Sequence, residues 1–225
     1  MTPVNQFTIL AICYCMLFLL CFVVWRMKSE NLKSEKVMNG NWLMLHFRHA
    51  GGMIIAGILP AILLPNTQDE ILAWPDPVNA IQVLTFFITA LLLVALVLTS
   101  RNSLPAVKNV DHKYAFANVW AHLLLRSSFL ACYEWFFRGC ILFSCIDQFG
   151  VPIAIIINLV LYALIHSFNS KKELYGSLPF GLILCVFSIW YQSVWPAVLL
   201  HLLLSSSYEF FLLPALFNKK SKPVL

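Results

Sequence analysis

Residues 118–146, NVWAHLLLRSSFLACYEWFFRGCILFSCI, decide the fold. The stretch is long enough to cross a hydrocarbon layer of about 30 Å, which takes roughly 20 apolar residues in helical form. It nevertheless carries Glu134 and Arg138 well inside the apolar run. A charge at the bilayer centre costs roughly 2.5–3.5 kcal/mol on insertion scales, so both must turn toward the interior of a bundle and find partners or a task there. They lie four residues apart on one helix face and can pair. At 4 Å and an effective dielectric near 20 the attraction is about 4 kcal/mol, comparable with the cost of inserting one of them. Glu134 and Arg138 are therefore either an ion pair that locks helix packing or part of a buried reaction site.

The rest of the chain has the same character. Of its 225 residues, 60% are hydrophobic and only 11% charged, and the mean hydropathy is +0.81. That charged fraction is less than half the globular norm of roughly 25%, which excludes a soluble domain, disorder, a coiled coil or a nucleic-acid-binding module. Seven segments are apolar enough to span: approximately 7–26, 49–64, 81–100, 118–146, 151–168, 178–192 and 196–216. The first lacks a basic leader and a small-residue cleavage site and reads as an uncleaved anchor. The expected fold is all-α, a polytopic transmembrane bundle of about seven helices. Its parts are residues 1–117, with helices 1–3 and their cytoplasmic loops; 118–216, a core of helices 4–7; and 217–225, a basic cytoplasmic tail.

Orientation follows from charge. Thirteen of the 15 Lys and Arg fall at Arg26–Arg48, Arg101–Lys113, Lys171 with Lys172, and Lys219, Lys220 and Lys222. These are alternate connections; the others carry Asp69, Glu70, Asp76 and Asp147 and no base. The positive-inside rule then predicts an N-out, C-in chain. It also accounts for the net charge of +5 without a polyanion partner. The seven cysteines lie in apolar runs, are odd in number and form no C-x-x-C pair, so they read as small packing residues.

Two histidines share the oddity of Glu134 and Arg138: His166 at the inner end of helix 5 and His201 in helix 7. Together the four supply a base, hydrogen-bond donors and a counter-charge in a dry setting, the ingredients of acid–base chemistry. Glu209 follows His201 by eight residues and can share its face, while Arg126 reads as lying near the inner surface. His46, His49, His112 and His122 border helices 2 and 4 and read as interfacial.

The order of these residues resembles the family of CAAX proteases and bacteriocin-processing enzymes, also called the Abi family. Its motifs run Glu-Glu-x-x-x-Arg, then an aromatic residue before a His, then His-x-x-x-Asn. The corresponding segments are Tyr133-Glu134-Trp135-Phe136-Phe137-Arg138-Gly139, Tyr162 to His166, and His201 to Ser205. The likeness spans roughly 118–210, and helices 1–3 carry no recognisable motif. It implies an intramembrane endopeptidase in which a glutamate and the motif-two histidine activate water while motif three holds the oxyanion. On this sequence those roles fall to Glu134 and His166, then His201 and Ser205, with Arg138 as the counter-charge. The implied substrate is a protein or peptide with a membrane-bound or lipidated segment, met within the lipid bilayer, and the implied home is the bacterial cytoplasmic membrane. No cofactor is needed for glutamate-activated water. Zinc held by Glu134, His166 and His201 is the alternative, although no His-Glu-x-x-His run is present.

Two departures separate the chain from that pattern: Tyr133 replaces the first glutamate, and Ser205 replaces the asparagine. Moving the only carboxylate by one residue rotates it about 100° around the helix. Either Glu134 takes over as the base, or it only pairs with Arg138 and the protein is a silent binding or immunity-type member. A small-solute transporter using the same polar groups is a third class, but the inverted repeats common in such folds are not evident. Straight helices would also leave His166 and His201 at different depths. Convergence calls for tilted helices or for a turn at Ser193 to Pro196 that lies below the membrane surface.

Overall fold

The computed structural model describes residues 3–31, 41–64, 72–75, 78–100 and 116–217. Among them are seven helices and no strand. They are α1 (Pro3–Asn31), α2 (Asn41–Met53, continued by a π-helical turn Ile54–Ile58 and by Leu59–Leu63), α3 (Ala80–Ser100), α4 (Phe116–Glu134, π-helical Trp135–Ile141, then Leu142–Phe149), α5 (Val151–His166), α6 (Lys171–Tyr191) and α7 (Trp195–Phe217). The spans Pro3–Met27, His46–Leu63, Ala80–Thr99, Trp120–Phe149 and Lys171–Tyr191 are long and apolar enough to cross a membrane, and Val151–His166 is a shorter apolar helix. The chain is an all-α membrane bundle. The stretches 101–115 and 218–225, with many of the bases used to assign orientation, lie outside the described residues, as do His112 and the side chain of Glu209.

The helix expected at 178–192 begins earlier, at Lys171. Polar residues, Gly176 and Pro179 hid its first turns in the sequence. Ser170 starts it: the hydroxyl accepts from the Glu173 N–H at 3.2 Å and donates to the Glu173 carboxylate at 3.1 Å, a serine–glutamate capping pair that satisfies donors the helix leaves open.

α4 is the axis of the bundle. Its first half packs on α2, its second on α5, and α7 lies along the seam between. α2 and α4 meet closely enough that a Cβ on Gly52 would stand 2.3 Å from Phe129 Cε2. α1 clasps the outside through Tyr14, whose hydroxyl donates to the Leu161 carbonyl at 3.0 Å, and through Gln6, whose amide donates to Ser144 Oγ at 2.7 Å. A smaller apolar cluster of Leu93, Leu184, Phe187, Tyr191, Ala197 and Leu200 joins α3 to α6 and α7.

The turn between α6 and α7 is covered by protein. Ser193 and Val194 have 0% and 1% of their surface exposed. Ser193 Oγ donates to the Ala73 carbonyl at 2.9 Å, and Trp195 Nε1 to the Leu72 carbonyl at 2.8 Å. α3 braces the same end: Tyr191 Oη donates to the Gln82 carbonyl at 2.6 Å and Gln82 Nε2 to the Trp190 carbonyl at 3.0 Å. Irregular backbone inside a bilayer needs protein cover of this sort.

Candidate active site

Register along the helices brings the motif residues to one level. Glu134 on α4 and His166 on α5 are each sixteen residues from Gly150, where the two helices turn, or roughly 24 Å of helix at 1.5 Å per residue. His201 is only six residues into α7, about 9 Å. It nevertheless meets Glu134, so the α6–α7 turn lies closer to the site, by roughly 15 Å of helix, than the α4–α5 turn does.

Glu134 and Arg138 are fully buried. One Arg138 terminal nitrogen is 3.2 Å from Glu134 Oε2, a contact of charges without hydrogen-bond alignment. The other guanidinium Nη donates to the Gly181 carbonyl at 3.4 Å, and the guanidinium carbon lies 4.0 Å over the Tyr162 ring centroid. Gly181 is required there, because an added Cβ would meet Leu159 at 3.0 Å and both Arg138 and Tyr162 at 3.2 Å. Charge pairing and a cation–π face together let a guanidinium sit in a dry interior.

His201 Nδ1 is 2.5 Å from Glu134 Oε1. A carboxylate only accepts, so Nδ1 carries the proton, and in the neutral imidazole Nε2 then holds the lone pair. The same logic fixes His166, whose Nδ1 is 2.9 Å from the Tyr162 carbonyl oxygen. Both imidazoles are thus anchored at Nδ1 with Nε2 left to act. His166 bonds to the Tyr162 carbonyl and not to Glu134. The two rings are linked by Tyr133, whose ring stands edge-on to each at 6.4 Å between centroids. Its hydroxyl is buried with no hydrogen-bond partner among the described residues.

Directly after Glu134 the helix widens into the π-helical stretch Trp135–Ile141, every residue of which is buried. Such turns recur at functional sites. Here the Leu142 N–H donates to the Phe137 carbonyl, five residues back. That carbonyl accepts a second bond from Asn158 Nδ2 at 2.6 Å, and Asn158 Oδ1 in turn accepts from Cys185 Sγ at 3.3 Å. Sequence reasoning passed over Asn158, although one amide in the apolar run VPIAIIINLVLYALIH was a visible signal.

Ser205 lies one turn beyond His201 and accepts from Arg126 Nε at 2.9 Å. Arg126, expected near the inner surface, thus reaches inward across the α4–α7 seam. His49 and His122, expected to be interfacial, are buried at 2% and 8% exposure. Their rings pack 5.7 Å apart, and His49 also stacks on Phe129 at 5.1 Å. The reason is the glycine-lined contact of α2 with α4, which draws the residues beside it into the interior.

The helices that converge here, α4 to α7, are the part of the chain that matches a family model. Residues 116–207 match the Rce1-like family, described as type II CAAX prenyl endopeptidase Rce1-like. No curated protein and no solved structure matches the chain. The matched residues 116–207 include Glu134, Arg138, His166, His201 and Ser205.

For zinc, three lone pairs would have to point at one position. Glu134 instead turns one oxygen to His201 Nδ1 and the other to Arg138. Among the described residues no group of three His, Cys, Asp or Glu is placed to hold a metal ion. The donor set as arranged does not fit zinc.

Proposed function

We propose that the protein is an intramembrane endopeptidase that hydrolyses a peptide bond of a membrane-associated protein or peptide, using water activated by the His201–Glu134 pair. The observation that carries this reading is the hydrogen bond from His201 Nδ1 to Glu134, which joins the first and third motifs inside the Rce1-like segment. Arg138 holds the carboxylate; the carboxylate orients His201 and stabilises the imidazolium that forms. His201 Nε2 takes a proton from water as the water oxygen attacks the scissile carbonyl, then returns it to the leaving amine. His166 Nε2 accepts a hydrogen bond from the other O–H of that water and so orients it. The Ser205 hydroxyl, whose oxygen is held by Arg126, keeps its own hydrogen for the developing oxyanion. A fixed donor of this kind is worth most where water is excluded. Glu134 is then an orienting carboxylate rather than the base itself, since both its oxygens are engaged.

An apolar cavity of about 330 Å³ lies between α2, α4 and the start of α7, bounded by Gly57, Ala131, Trp135, Val194, Trp195 and Val198. Trp135 follows Glu134 and Val198 precedes His201 by one turn, so an apolar substrate group seated there would rest on the same turns of α4 and α7 that carry the pair. The charge pattern supports an N-out, C-in orientation, which sets the start of α4 and the end of α7 toward the cytoplasm, and the resemblance to compact bacterial members points to a bacterial cytoplasmic membrane.

The test is cleavage of a prenylated CAAX peptide by the reconstituted wild type, Glu134→Gln, His166→Ala and His201→Ala. Loss of cleavage in Glu134→Gln and His201→Ala is expected; cleavage that survives both overturns the mechanism. One observation favours a silent, substrate-binding member instead: the Glu134 carboxylate has no exposed surface. Binding of that peptide by the wild type without any turnover would select this second reading.

A further inference from the structure

An asparagine in the middle of a membrane helix needs a task, since an amide without partners in that setting is costly. Asn158 has 0% of its surface exposed and spends both ends of its side chain. Nδ2 donates to the Phe137 carbonyl at 2.6 Å and Oδ1 accepts from Cys185 Sγ at 3.3 Å. The Phe137 bond falls inside the π-helical stretch of α4, on the peptide unit immediately before Arg138. Generic interhelical adhesion could be served by any accessible carbonyl of α4. Asn158 instead takes one inside the widened stretch, which already accepts from Leu142.

We infer that Asn158 is a positioning residue. By pinning the Phe137 carbonyl it fixes the π-helical register that carries Arg138, and through Arg138 and Glu134 it sets the orientation of the His201 imidazole. The relay runs Asn158 Nδ2 to Phe137 O, along one peptide unit to Arg138, then 3.2 Å to Glu134 Oε2, and from Glu134 Oε1 to His201 Nδ1. Arg138 has little slack for correction, because Gly181 and the Tyr162 ring hold its guanidinium from the other side. A shift of the π-helical stretch by a fraction of an ångström therefore passes to the carboxylate. Misplacement by about 1 Å at a reacting group can cost about a hundredfold in rate.

The catalytic part of this inference rests on the endopeptidase reading above; the positioning part does not. Full-length protein with 15N-labelled histidine, in detergent micelles, is compared as wild type, Asn158→Leu, Asn158→Asp and the control Ile157→Ala, which trims a neighbouring packing residue and leaves the amide in place. The downfield His201 Nδ1–H resonance, assigned by its loss in Glu134→Gln, is expected in wild type and Ile157→Ala and broadened or shifted in both Asn158 variants. With the prenylated CAAX peptide, kcat is expected to fall about 10- to 100-fold in Asn158→Leu with KM unchanged within about twofold. An Asn158→Leu protein whose His201 resonance and kcat match those of Ile157→Ala overturns the inference and leaves the endopeptidase reading intact. A wild type that cleaves nothing while the resonance responds to Asn158 defeats the endopeptidase reading alone.

Discussion

Replacing Arg138 by methionine keeps an unbranched apolar stem, though a shorter one, and removes the charge above Tyr162. With 3.2 Å between the Arg138 nitrogen and Glu134 Oε2, the attraction at an effective dielectric near 20 is about 5 kcal/mol before desolvation is counted. Taking away one partner leaves the other charge buried and uncompensated, at a cost of roughly 3–5 kcal/mol. Glu134→Gln should lose a similar amount, because Arg138 is then the stranded charge. The double variant should lose far less than the two single losses combined, with a coupling of about 2–3 kcal/mol. Arg138→Lys should fall between wild type and Arg138→Met, since an ammonium cannot lie flat on Tyr162 while reaching the Gly181 carbonyl. The measurement is reversible unfolding in mixed micelles followed by tryptophan fluorescence, across wild type, the two single variants and the double. A coupling below about 0.5 kcal/mol would refute the claim that this pair holds α4 in place.

Three further outcomes are expected. Gly52→Ala drives a Cβ to 2.3 Å from the Phe129 ring and should cost about 1–3 kcal/mol in the same unfolding assay, with Phe129→Leu recovering part of it. Ser170→Ala deletes the cap of α6 and should cost about 1 kcal/mol, seen as faster amide exchange over residues 171–174 with catalysis untouched. Arg126→Met frees the Ser205 oxygen and should lower kcat about tenfold or more while leaving KM nearly unchanged, as expected of a group that matters only as charge develops. An equal fall with a proportionate rise in KM would place Arg126 in substrate binding instead.

Much of the site was legible because a membrane makes polar residues conspicuous. Glu134, Arg138 and His201 stood out against apolar neighbours, and the four-residue spacing of the first two predicted their contact. His201 beside Glu134 could be inferred only from the order of the motifs, since simple counting set it at another depth. The lowered α6–α7 turn resolves that conflict. It depends on Leu72 and Ala73, which no local pattern ties to residue 193. The π-helical stretch was invisible for a different reason: its residues differ from α-helical ones in hydrogen-bond register, not in composition. His49 and His122 looked interfacial because they sit beside charged loops, and only the close approach at Gly52 buries them. The start of α6 was hidden by a proline and a polar first turn, although Ser170 and Glu173 had the spacing of a capping pair.

The strap from Leu72 to Pro75 belongs to no part of the Rce1-like segment, yet two of that segment's residues, Ser193 and Trp195, hydrogen-bond to its carbonyls. The matched stretch is consequently not a transplantable cassette. Grafted onto a foreign amino-terminal half, it would lose the acceptors for the buried Ser193 hydroxyl and for the Trp195 indole at the very hairpin that delivers His201. Chimeras within such a family should succeed only when the donor of α4 to α7 also contributes the short run of backbone ahead of α3.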